Sequence, residues 1–114
     1  MVTITNREEE RVAAGAAVLD KVRPDWFEYV DLPALDVRSC ADCTLGQLFG
    51  EYQDGLIRLF GQPGGVEATA WAGEHGFELD PADPRSPGAQ YEALTDAWTA
   101  LIKARRAHRD GAVQ

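Results

Sequence analysis

The chain has 114 residues, 45% of them hydrophobic and 26% charged, with a formal net charge of −8. That length suits one domain with a modest core built without disulfides or metal, and the hydrophobic share excludes a disordered chain. No apolar run reaches the roughly 20 residues of a membrane span, and the N-terminus lacks a basic-then-apolar leader, so the reading is a cytoplasmic protein.

The first predicted helix spans Asn6–Val22. Asn6 is placed as its N-cap, with Glu9 in the reciprocal capping-box position and Glu8, Glu9 and Glu10 at the positive end of the helix dipole. Val12, Ala16, Leu19 and Val22 form an apolar stripe, and Pro24 stops the helix. Residues 1–5 are expected to fray. Residues 24–38 carry Trp26, Phe27, Tyr29, Val30, Leu32, Leu35 and Val37, interrupted by Pro24 and Pro33. This composition predicts short turns that wrap over the core as a buried connector.

A second long helix is predicted over Thr44–Phe60, because Leu45, Leu48, Phe49, Tyr52, Leu56, Leu59 and Phe60 share one face. Gly61 is its expected left-handed C-terminal cap. Its start is open: Thr44 with Gln47 forms one capping box, and Ser39 with Asp42 forms an earlier one that would bring both cysteines into the first turn. Gly46 and Gly50, four residues apart, read as one face that another backbone approaches closely. Residues 66–75 suggest a short helix ended by Gly76, with His75 bonding a terminal carbonyl. Residues 76–88, rich in proline, read as an irregular loop. Thr3–Thr5 and Phe77–Leu79 are the only candidates for short edge strands. The last helix, Ser86–Ala107, begins with Ser86 as cap and Pro87 at its first position. Residues 109–114 are expected to fray. The expected fold is mainly α: a compact single domain over 1–114 with an ordered core over 6–108. It has three long helices, one short helix and an irregular, aromatic-rich connector.

Charge is unevenly placed. Residues 1–102 hold seven basic and eighteen acidic side chains, whereas residues 103–110 hold four basic and one acidic. An acidic body opposes direct nucleic-acid binding, which needs Lys and Arg to displace counterions, and leaves room for a basic protein partner. Cys40-Ala41-Asp42-Cys43 is the only segment with chemical content. Its spacing suits one metal ion or a dithiol, and a neighbouring helix N-terminus favours thiolates. Structural zinc needs four ligands, and only His75 and His108 supply imidazole. The plainer reading is two small side chains packed at a helix start, with no cofactor. No catalytic triad or phosphate loop can be assembled.

Ser39-Cys40-Ala41-Asp42-Cys43-Thr44-Leu45-Gly46-Gln47-Leu48-Phe49-Gly50 resembles a segment of short proteins encoded by actinobacterial phages and prophages. Val12–Asp20 and Tyr91–Trp98 resemble the same group. The resemblance implies a small accessory protein in the cytoplasm of a bacterial host, and it brings no activity or ligand. The reading that follows is a non-enzymatic protein that binds a host or phage protein, or itself. Its expected contacts are an aromatic patch at Trp26, Phe27 and Tyr29, or a groove along Gly46 and Gly50. Two alternatives are a Cys40/Cys43 zinc or dithiol site, and an acidic mimic of nucleic acid that blocks a DNA-binding protein.

Overall fold

A computed structural model describes residues 7–112 apart from Pro63. The protein is mainly helical, with five α-helices and no strand among the described residues. They are α1 (Arg7–Val22), α2 (Thr44–Phe49), α3 (Tyr52–Phe60), α4 (Val66–Glu74) and α5 (Pro87–Ala112). Two single 3-10 turns, Trp26–Glu28 and Leu32–Ala34, punctuate the connector between α1 and α2. Asn6 and Thr3–Thr5 lie outside the described residues, so the first capping box and one of the two edge pieces do too. Phe77–Leu79 forms no strand.

The N-terminal cap of α5 follows its residue chemistry. Ser86 Oγ accepts from the Ala89 N–H at 3.2 Å, and Pro87 takes the first helical position, where a missing N–H costs nothing. The helix runs five residues past Ala107, to Ala112. Over 26 residues it is about 39 Å long at 1.5 Å per residue. It packs along α1, and the Trp26 turn docks against it. α2 packs on α3, while α4 touches both α1 and α3.

The predicted Thr44–Phe60 helix is two helices. At Gly50 the backbone takes φ +101°, a region open to glycine and strained for other residues, and Glu51 is extended. Gly50 is therefore the end of α2 and not a packing position within a longer helix. The helical spacing of Leu45, Leu48, Tyr52 and Leu56 persists across the break because α2 and α3 fold back on each other. A Cβ added at Gly55 would lie 2.6 Å from that of Leu45, which shows how close this pair sits. α3 ends at Gly61 in the left-handed conformation, as predicted.

The core is one aromatic column flanked by aliphatic side chains. Trp26 and Trp98 are fully buried and meet edge-to-face, with centroids 5.7 Å apart and planes at 89°. Phe77 stacks on Trp98 at 5.3 Å, and Trp71 lies beyond it. Both buried indoles satisfy their N–H: Trp26 donates to Asp20 and Trp98 to the Gly76 carbonyl. α1 fits against this column through Gly15, where a Cβ would lie 2.1 Å from the His75 carbonyl oxygen and 3.1 Å from the Trp98 ring.

Candidate functional site

A cleft of about 1130 Å³ opens between α1, α4 and the segment around Leu79–Pro81. α4 supplies one wall. Val66, in its first turn, is 88% exposed, and Thr69 and Ala70 continue the open face. Leu79 and Pro81 form the opposite lip. An aliphatic side chain held this far into water contributes nothing to the core, since burying a Val is worth about 1.5 kcal/mol or more.

Arg11 lies among the residues that line this cleft, and it is only 8% exposed. Its Nε donates to the Gly73 carbonyl at the C-terminal end of α4, and its Nη2 donates to the Glu78 carbonyl. The guanidinium thus clamps α4 and the following segment to α1. Its Nη1 is buried with no hydrogen-bond partner. Burial lowers the Arg11 pKa from its usual value, which Asp80 and Asp83 partly offset, and the group remains charged. Arg7, also on this rim, pairs with Asp80. Two further carboxylates on the rim, Glu10 from α1 and Glu74 from α4, are exposed and have no ion pair or hydrogen bond among the described residues.

The two cysteines differ in exposure. Ser39 Oγ accepts from the N–H groups of Ala41 and Asp42, which folds residues 39–43 into a turn that leaves Cys40 exposed. Cys43 is buried and is itself the N-cap of α2: its Sγ accepts from the Gly46 N–H at 3.2 Å. Neither predicted capping box forms as such. Gln47 instead ties the connector to α2, accepting from the Asp31 N–H and donating to the Asp31 and Asp42 carbonyls. Burial pushes the Cys43 thiol up to about 11, outweighing the N–H groups of Gly46 and Leu45 that favour a thiolate. Helix position alone had suggested the opposite direction. Among the described residues no group of three or more His, Cys, Asp or Glu side chains could hold a metal ion. The pair therefore offers two sulfurs to a zinc ion that needs four donors.

The predicted contact residues scatter. Trp26 is core, and Phe27 is half-buried against it. Tyr29 is 57% exposed with the Arg23 guanidinium 4.7 Å from its ring centroid. Arg106 holds this turn from α5, donating to the carbonyls of Phe27 and Val30. Of the three aromatic side chains, Tyr29 alone is open to solvent. Gly46 is buried under the backbone of Cys40 and Ala41, 2.3 Å from where its Cβ would stand, while Gly50 is exposed. The two glycines share no groove, since Gly50 ends the helix on which Gly46 lies. His75 behaves as predicted, its Nδ1–H meeting the Trp71 carbonyl at 2.7 Å. His108 is exposed on α5.

A second polar cluster links Glu78 with two tyrosines. Tyr91 Oη donates to Glu78 Oε1 at 2.8 Å, and burial together with this bond pushes its hydroxyl up to about 12. Tyr52 is shifted in the same direction, again chiefly by burial. Both hydroxyls keep their protons, so the cluster is a set of hydrogen bonds that fixes the 77–79 segment on α5.

Compared with known proteins, the chain matches no family model, no curated protein and no solved structure. No helix among the described residues is long and apolar enough to cross a membrane.

Sequence reasoning missed the cleft. Glu10 reads as part of a solvated first turn, and Val66 follows a Gly-Gly loop where one apolar residue is unremarked. Arg11 sits beside the Val12 stripe, and its charge suggests a surface position. The one signal in the residues is Val66 itself, an apolar side chain outside any inward-facing stripe.

Proposed function

We propose that the chain is a small, non-enzymatic accessory protein that binds another protein through the α1/α4 cleft. The observation that carries this reading is the exposed aliphatic wall beginning at Val66, on a cleft rimmed by the unpaired carboxylates of Glu10 and Glu74. A contact that covered Val66 and Ala70 would remove apolar surface from water. Tertiary contacts already occupy Cys43, which caps α2, and the two tyrosines, which hold their protons beside Glu78. The setting, a phage or prophage of an actinobacterial host, rests on the resemblance carried by Ser39–Gly50.

A photo-crosslinking amino acid in place of Val66 tests the reading in lysate of such a host, with light scattering on the purified protein as companion. The expected result is a discrete adduct, to a partner or to a second copy. It should form from position 66 and not from the exposed Gln53 on α3. A monomer that yields no adduct from position 66 overturns the proposal.

A further inference from the structure

Granting that the α1/α4 cleft is a protein-binding surface, we infer that the segment it takes is basic and apolar: aliphatic anchors flanked by Lys or Arg. Two independent features of the cleft set this chemistry. Its facing sides are aliphatic, through Val66 and Ala70 on one and Leu79 and Pro81 on the other. Its rim carries the carboxylates of Glu10 and Glu74, which have no partner among the described residues, whereas the rim cation Arg7 is already spent on Asp80. A basic, leucine-rich peptide answers both at once. Its aliphatic side chains cover the apolar sides, and its ammonium or guanidinium groups meet Glu10 and Glu74. An acidic segment would set its charges against Glu10 and Glu74. The formal net charge of −8 for the whole chain acts in the same direction, drawing a cationic segment in from a distance.

The test is a fluorescence-anisotropy titration with an acetylated, amidated peptide of about twelve residues, its leucines at i, i+3, i+4 and i+7 and the other positions mainly lysine. Two companion peptides replace every lysine by glutamate, or every leucine by serine. The expected result is saturable binding of the basic, leucine-containing peptide alone, weakened by raising the salt through the range that shortens the Debye length. Combined E10Q and E74Q substitution should weaken it about five-fold, and V66S about ten-fold. All three positions are exposed, so unchanged circular dichroism should confirm that the variants fold. Equal binding of the glutamate or serine peptide overturns the inference, as does binding that the variants leave intact. If position 66 still crosslinks a protein while no basic peptide binds, the inference fails and the proposed function stands. If neither occurs, both fail.

Discussion

Two opposing influences meet on the Cys43 sulfur, and their balance decides what the Cys-x-x-Cys segment can do. Burial favours the protonated thiol, while the Gly46 and Leu45 N–H groups favour the thiolate, and burial prevails. Cys40, three residues away, is exposed. At pH 8 iodoacetamide should therefore modify Cys40 readily and Cys43 only after unfolding, as mass spectrometry of the labelled chain would show. The same shift has a linkage consequence. The folded thiol ionises near 11 and the unfolded one near 9.0, so its contribution to stability is complete below pH 9 and fades as the pH rises toward 11. Rapid double labelling of the folded protein at pH 8 would contradict the burial on which this account depends. Residue identity alone reveals the spacing of the two sulfurs. It does not reveal that a turn held by Ser39 points one of them outward and lets the other close a helix.

Helix ends were readable wherever a local residue makes them. Ser86-Pro87 and Gly61 act within a few positions of themselves, and the structure puts the caps there. The break at Gly50 was not readable, because apolar spacing records which side chains are buried and not whether one helix or two bury them. Gly50→Ala tests the distinction. At φ +101° an added Cβ meets only Asp54 Oδ2, at 3.9 Å, so any cost comes from backbone conformation and not from crowding. The substitution should lower stability by about 1–2 kcal/mol, measured from urea midpoints. A neutral or stabilising effect would imply a continuous helix through this position. Gly15 is the contrasting case: its φ is ordinary, and its constraint is the backbone pressed against it.

Across the molecule, α1 is held by charge as well as by the aromatic column. Arg85 reaches Glu8 and Asp83, Arg7 pairs with Asp80, and Arg105 pairs with Asp20. Hydrogen bonds from Arg85 hold the Asp83 carboxyl at about 2, and the same side chain lowers Glu8. The Ala82 N–H, with Arg7, lowers Asp80. For Asp20, the bonds from Arg105 and Trp26 outweigh the burial that would raise it. All four carboxyls are lowered from their ordinary values, so the unfolded chain binds protons first. Stability should hold above about pH 4 and fall as the pH drops toward 2. Arg85→Gln should lower stability near neutral pH and shrink the fall between about pH 4 and 2, because Asp83 and Glu8 then titrate closer to their unfolded values, as urea midpoints taken across this range would show; identical profiles would mean these pairs carry no stability. These clamps lie far apart in sequence, Arg85 from Glu8 and Arg105 from Asp20, and nothing in local spacing announces them. The mainly α fold with its aromatic interior was legible from stripes and caps, whereas the cleft arises from three separated segments and appears only once they are assembled.

The perpendicular Trp26–Trp98 contact has a spectroscopic consequence. Two indole rings fixed at 5.7 Å and nearly at right angles, both sealed from water, form a chiral chromophore pair embedded in the folding unit. The native chain thus carries an intrinsic near-ultraviolet dichroic band and blue emission that vanish together when the interior opens. Any variant can be compared with its parent by light alone, without a label or a binding assay.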